Sequence, residues 1–399
     1  MSISDNKSSG LDPELVAILR GVIDPELNNN IVDLGMVKNA IIDGDGVAQI
    51  TVALTTSGCP LRSQIKTDVQ RKISSNKNIE EVKVTFGELN AQEKRTLMDS
   101  ARKNARENAI ETAVSSSTRV IAIASGKGGV GKSSITANLA SAIADLGFKV
   151  GVLDADIWGF SQGTMLGVAG RLEGTAGKID PHLKVIGKQG GELKIVSMGF
   201  LIDDEQSALM WRGLILAKAV EQFLVDVNWG ELDYLFIDMP PGTGDIQMAV
   251  SRLIPQSEML VVTTPARGAQ TVAARVGDMA QRSYMPILGV VENMSYFVSP
   301  SGEKFEIFGN GGGSRLAKRL ATTLLAQIPL EPGETEANSA GVPIVISDIE
   351  LENKSPAAIA MRDLAKNIVD NICPPIEMAG CTSIKQAIFK QMKESKAQV

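Results

Sequence analysis

The eight residues 126–133, reading GKGGVGKS, lie between an apolar run at 120–123 and a helix-like stretch at 134–146 that ends at Gly147. Strand, glycine-rich loop and helix in that order constrain the fold more than any other feature of the chain. Gly126, Gly128, Gly129 and Gly131 let the backbone curl tightly, so that its N–H groups and the positive helix end point at phosphate oxygens. Gly126, Gly131, Lys132 and Ser133 fill the GxxxxGK[ST] pattern, with Lys127 and Val130 completing the loop. Lys132 holds β- and γ-phosphates as a point charge, and the Ser133 hydroxyl completes a Mg²⁺ shell. The expected ligands are therefore ATP and Mg²⁺.

At 399 residues the chain has room for two domains, since single cores seldom grow past about 250–300 residues. A formal net charge of −6 gives no overall attraction to nucleic acid or to an anionic membrane. The first ten residues, MSISDNKSSG, lack a basic and apolar signal-peptide pattern, and no apolar run is long enough to span a bilayer. Three cysteines, Cys59, Cys373 and Cys381, are too few and too scattered for a disulfide framework. A cytoplasmic protein is expected.

Three regions differ in composition. Residues 11–90 read as helix, strands, helix and strand, a small α+β domain, with 48–54 and 82–86 as strands and 61–73 as a helix. Residues 91–118 mix charges of both signs and end in three serines and a threonine, which predicts a solvated helical linker rather than a nucleic-acid-binding arm. Residues 119–370 alternate apolar strands with amphipathic helices. The strand candidates are 120–123, 149–153, 234–237, 259–263, 287–291 and 324–328. Short, nearly continuous apolar runs suit strands buried on both faces, so this part is predicted to be α/β, a doubly wound, mostly parallel sheet. Residues 175–197 read as a hairpin excursion, and 371–399 as a tail.

Hydrolysis needs more than a phosphate cradle. The run LFID ends in Asp238, placed to hold the metal shell, and is followed by PPGTGD, a glycine-containing loop suited to sensing a γ-phosphate. Asp154 and Asp156 lie at the C-terminal end of another strand, the edge where ligands bind in such sheets. Asp156 is assigned to orient the attacking water. Asp154 supports the metal or caps the following turn.

KGGVGK resembles the deviant phosphate-binding loop of the MinD, nitrogenase iron protein and Mrp group. Further along, VLDADIWG, SMGFL, MWRG, IDMPPGTGD, VVENMS and EIFGNGGG stand in the order and wording of the Mrp/ApbC family of iron–sulfur cluster carrier ATPases. That resemblance implies a homodimer in which Lys127 reaches the partner's nucleotide; a lysine facing solvent is the alternative. It implies that Asn293 reads the adenine edge, with residues 329–331 near the base, although Asn293 also suits a strand-end cap. The N-terminal DPEL, DLG and GCP motifs look like the small domain often fused ahead of such ATPases and tied to iron–sulfur maturation. Apo iron–sulfur proteins and cluster scaffold proteins are the implied partners, with no nucleic acid.

One departure bears on cargo. Many members carry Cys-Pro-x-Cys where this chain has Ser299, Pro300, Ser301 and Gly302. Both bridging thiolates are gone, whereas a four-iron cluster usually takes four. Cys59, before a proline, is the candidate iron–sulfur ligand or exchange thiol, or else an ordinary buried cysteine. Cys373 and Cys381 have no standard metal spacing, and His182 lacks ligand-type neighbours. The tail places Ile384, Ala387, Ile388 and Met392 on one helical face beside lysines. That pattern fits packing on its own domain, or the anionic surface that a MinD/ParA-like positioning ATPase would use.

Overall fold

Strands whose odd and even residues are both apolar must be covered on two sides, and this decides the layering of residues 109–399. In the computed structural model, residues 10–24, 29–55, 61–74, 76, 79–107, 110–156, 159–175, 177–201, 213–242, 244–266, 268, 275–277, 279–280, 285–332, 340–347 and 355–376 are described. The chain divides into two units, residues 1–108 and 109–399.

The first unit runs α1 (Pro13–Leu19), β1 (Ile23–Asp24), β2 (Asn29–Asn30), β3 (Val37–Ile42), β4 (Val47–Leu54), α2 (Arg62–Ile73), β5 (Glu81–Glu88) and α3 (Ala91–Glu107). Strand β4 pairs antiparallel with β3 and parallel with β5. Leu15, Leu19, Ile50, Val52, Ile65 and Val69 make its core. Asp12 starts α1 by accepting from the N–H groups of Glu14 and Leu15, with Pro13 at the first helical position. The stretch expected to be a solvated helical linker is helical up to residue 107 but is tied to the first unit. Asn90 and Glu93 cap α3 reciprocally, at 2.8 and 2.9 Å, and Leu97 is buried. Its few apolar residues made the stretch read as free of a core.

The second unit contains β6 (Arg119–Ser125), α4 (Lys132–Asp145), β7 (Lys149–Asp154), α5 (Gln162–Met165), β8 (Glu173–Thr175), β9 (Lys178–Asp180), β10 (His182–Ile186), β11 (Gly191–Ser197), α6 (Gly213–Asp226), β12 (Tyr234–Asp238), α7 (Asp245–Leu253), β13 (Glu258–Thr263), β14 (Ile287–Glu292), β15 (Phe297–Val298), β16 (Lys304–Phe305), α8 (Gly312–Arg319), β17 (Leu324–Gln327), α9 (Ile344–Ser347) and α10 (Pro356–Asn367). Eight strands form one sheet in the order β10-β11-β7-β12-β6-β13-β14-β17, parallel except for β10. On one face Val120, Ala122, Leu235 and Ile237 meet Val220 and Phe223 of α6. On the other, Ile121, Ile123, Val152 and Phe236 meet Ile135 and Leu139 of α4. The fold is a doubly wound, mostly parallel α/β sheet.

The expected hairpin excursion is half correct. Strands β8 and β9 form one hairpin and β10 and β11 another, but the second is no excursion, since β11 belongs to the main sheet, parallel to β7. Its polar Glu192 and Lys194 hid a strand whose Leu193, Ile195 and Val196 are fully buried. At the far end, the body continues past residue 370. Cys373 is 1% exposed and its thiol donates to Glu258 at 3.2 Å, while Tyr234 donates to the Cys373 carbonyl and Arg119 to that of Pro374, each at 2.8 Å. Burial, then the Glu258 charge, pushes that thiol far above its usual range. Among the described residues no helix is long and apolar enough to cross a membrane.

Strand β11 approaches the end of α4 so closely that a Cβ on Gly191 would stand 1.7 Å from the Ala144 carbonyl oxygen. Backbone cannot yield as a side chain does. Gly191→Ala is expected to destabilise the unit by about 2–3 kcal/mol, read as a lowered denaturant midpoint with an unchanged slope.

Candidate functional site

The glycine loop follows β6 because α4 can begin only after the chain reverses. Gly129 and Gly131 adopt φ of +75° and +79°, a region strained for residues with a Cβ. Gly131 has a second reason to be glycine, since a Cβ there would lie 2.2 Å from Asn293 Nδ2. Gly126 and Val130 are buried, whereas Lys127, Gly128 and Gly129 form an exposed rim. Helix α4 opens at Lys132, with Ser133 half-buried in its first turn.

Parallel register brings the acidic candidates to the same edge. Asp238 at the end of β12 stands opposite Asp154 at the end of β7 and opposite Ile123 of β6. Lys132 is buried, and its ammonium donates to Asp238 Oδ1 in a close ion pair. Asp156 Oδ2 lies 4.0 Å from the same nitrogen. Thr136 ties this centre to α4, donating to the Lys132 carbonyl at 3.0 Å and to Asp238 Oδ1 at 3.4 Å. The other oxygen, Asp238 Oδ2, accepts from Gln162 Nε2 at 2.9 Å, and that nitrogen also donates to the Ser133 carbonyl at 2.9 Å.

Asp154 is fully buried and heavily engaged. Its Oδ2 accepts from Ser161 N–H at 2.9 Å, Gln162 N–H at 3.0 Å and Ser197 Oγ at 3.1 Å, and its Oδ1 from Asp156 N–H at 3.2 Å. Burial raises its pKa well above the usual carboxylate range, and the Asp238 charge adds to this, while the N–H donors of Gln162 and Ser161 and the Lys132 charge oppose it. Of the two roles open to Asp154, shaping the turn into α5 is the one its hydrogen bonds perform here.

Two further braces surround the loop. Asn293, directly after β14, donates from Nδ2 to the Val130 carbonyl at 3.1 Å, and its buried Oδ1 has no partner among the described residues. Thus Asn293 grips the loop with one end of its carboxamide and leaves an acceptor open. The PPGTGD segment is laced by Gln247, whose Nε2 donates to the carbonyls of Pro240 at 3.0 Å and Gly242 at 3.1 Å, while its Oε1 accepts from Gly244 N–H at 2.7 Å. Gln162, Thr136 and Gln247 were not singled out from the sequence. Their one signal was a polar residue buried immediately beyond a motif, visible only once α4, α5 and α7 are placed.

The donor set suits Mg²⁺. Asp238 and Ser133 offer hard oxygen ligands, and Gln162 Oε1 is a fully buried acceptor without a partner among the described residues. The segment at 299–302 is different. Half-buried Ser299 and exposed Ser301 and Gly302 form the tip of the β15–β16 hairpin, with the two hydroxyls 2.8 Å apart. Among the described residues no group of three or more His, Cys, Asp or Glu side chains could hold a metal ion. Cys59, Cys381 and residues 384–392 lie outside the described residues, as does Thr243 of the PPGTGD loop.

Both units of the chain resemble known proteins. Residues 116–369 match the family described as NUBPL iron-transfer P-loop NTPase, and residues 13–86 match iron–sulfur cluster assembly protein. The iron–sulfur cluster carrier protein of Mycobacterium leprae is 42% identical over 354 residues, covering 87% of this chain and 91% of that one. Its counterpart in Synechocystis is 40% identical over 364 residues, covering 90% and 97%. A solved nucleotide-binding protein in complex with ADP from Archaeoglobus fulgidus is 34% identical, covers 60% of this chain and 91% of its own, and superposes with a TM-score of 0.49. Since the family match takes in well over half the residues and the relatives align over nearly their full length, the chain belongs to the NUBPL iron-transfer P-loop NTPase family, with an iron–sulfur cluster assembly domain ahead of the NTPase.

Proposed function

We propose that the chain is an ATP-dependent iron–sulfur cluster carrier that hydrolyses ATP slowly as a homodimer and uses nucleotide state to govern cluster loading and transfer to apoproteins. The observation that carries this reading is the buried Lys132–Asp238 pair beneath the glycine loop. A lysine held there exchanges one anion for another when phosphates arrive, so it is never left buried and unpaired. Asp238 Oδ1 is released by that exchange. Ser133 and Asp238 would hold Mg²⁺, with Asp154 supporting Asp238 through α5, and the ion when bound would supply charge neutralisation for the phosphates.

The remaining groups divide by position. Asp156, whose Oδ2 lies 4.0 Å from Lys132 Nζ, is assigned to orient the attacking water. Asn293 Oδ1 is free to accept from the adenine amino group while Nδ2 keeps the loop in place. Lys127, exposed on the rim, is assigned to the nucleotide of a second subunit, and its exposure supports that reading. The cluster is cargo, and the hairpin tip offers it hydroxyls rather than thiolates; with the Cys373 thiol buried against Glu258, Cys59 is the ligand candidate. A reducing, cytoplasmic setting fits free thiols.

Lys132→Ala is expected to lose ATP binding and to lower turnover by about 100-fold or more, whereas Asp156→Ala keeps ATP affinity within about threefold and loses turnover similarly, because orienting water matters only in the transition state. Equilibrium nucleotide binding and phosphate release measure the two effects separately. Wild-type turnover in Asp156→Ala would remove it from the reaction.

Lys127→Ala alone is expected to bind ATP yet not hydrolyse it. Mixing Lys127→Ala with Lys132→Ala subunits should restore part of the activity, since one site of the mixed dimer has both lysines. No recovery, with mixed dimers shown to form, would assign Lys127 to its own chain.

A further inference from the structure

Gln162 is unusual among the residues at the sheet edge. Fully buried, it is held at both ends: its backbone N–H donates to Asp154 Oδ2 at 3.0 Å, and its side-chain nitrogen donates to Asp238 Oδ2 and the Ser133 carbonyl, each at 2.9 Å. Both side-chain partners are acceptors, so the amide nitrogen rather than the oxygen must face them. Both of its hydrogens are then in use. The oxygen, Oε1, has no partner among the described residues, which is costly for an acceptor shut away from water. A buried orphan acceptor of this kind calls for a ligand or ordered water to complete it.

We infer that Gln162 is the positioning residue of the Mg²⁺ site, fixing the Asp238 carboxylate relative to Ser133 through Nε2 and accepting from a metal-bound water through Oε1. The inference rests on the Mg–nucleotide reading above. Three observations support it. Nε2 bridges the Asp238 carboxylate and the backbone carbonyl of Ser133, the residue whose hydroxyl suits the ion, so one planar amide helps hold that carboxylate against the start of α4. Mg²⁺ keeps several waters in protein sites, and these donate to neighbouring acceptors; Oε1 shares its carbon with Nε2 and so lies within one water's span of Asp238 Oδ2. Finally, the Asp154 bonds to Ser161 and Gln162 make α5 a rigid base for the side chain. Groups that orient a metal-holding carboxylate in this way typically change metal affinity by about 10- to 100-fold when removed.

The test is calorimetric titration of ADP into the full-length protein, with Mg²⁺ varied from none to saturating, for wild type, Gln162→Leu and Gln162→Asn. The asparagine variant keeps a buried amide but is one methylene too short to span both partners, and it guards against a leucine variant that does not fold. In wild type Mg²⁺ should tighten ADP binding. Each variant should need about 10- to 100-fold more Mg²⁺ for half of that gain, with metal-free ADP affinity within about threefold of wild type. An unchanged Mg²⁺ requirement, or equal weakening of ADP with and without Mg²⁺, would overturn the inference. Loss of folding in both variants would also overturn it, by giving Gln162 a structural role alone. Wild type that fails to bind ADP, or that ignores Mg²⁺, would instead contradict the nucleotide reading itself.

Discussion

The buried pair between Lys132 and Asp238 is the constraint around which the second unit is arranged. Neither charge tolerates isolation: removing one partner of a buried pair typically costs about 3–5 kcal/mol. The pair forms only because β12 lies beside β6 in register and α4 begins at once after the glycine turn. Thr136 and Gln162 complete the coordination of Asp238. Asp154, one strand further out, is pushed towards its neutral form chiefly by burial and then by the Asp238 charge. A bound cation would reverse the second of those effects. Lys132, Asp238, Thr136 and the Gln162 amide nitrogen are thus tied to one another at the edge of the sheet.

Rigidity around this centre comes from amides. Asn293, Gln162 and Gln247 each fasten backbone carbonyls of a functional loop. The end of β14 connects two regions of interest. Glu292, buried, accepts from Ser295 Oγ at 2.9 Å, Gln327 Nε2 at 2.7 Å and, closely, the N–H of Gly313 at the start of α8. Asn293, which grips the phosphate loop, and the hairpin beginning at Phe297 both leave from that anchored strand end. The phosphate-binding loop and the hairpin tip at 299–302 therefore share one support.

Much of this was legible in the sequence because it is encoded locally. Uninterrupted apolar runs gave all six proposed core strands to within two residues at either end, and the glycine loop followed from eight consecutive positions. Asp238 and Asp154 were found because each closes an apolar run. What escaped detection depends on distance. Strand β11 carries Lys194, whose ammonium reaches the Trp229 carbonyl at 2.6 Å, and no local pattern reveals that outlet. Helix α3 was read as free of a core because one buried leucine is no periodic signal. Gln162 looks like any loop glutamine until α5 sets it between Ser133 and Asp238. The departure at Ser299 and Gly302 was legible because it lies in four consecutive residues.

Cluster carriage is tested most directly by loading the protein anaerobically with iron and sulfide, then following transfer to an apo four-iron protein whose activity returns only with its cluster. Wild type should acquire a labile cluster and release it at a rate that differs with and without Mg–ATP, while Cys59→Ser acquires little. Failure of wild type to load, with ATP hydrolysis intact, or transfer indifferent to nucleotide and to Cys59, would contradict a nucleotide-governed carrier.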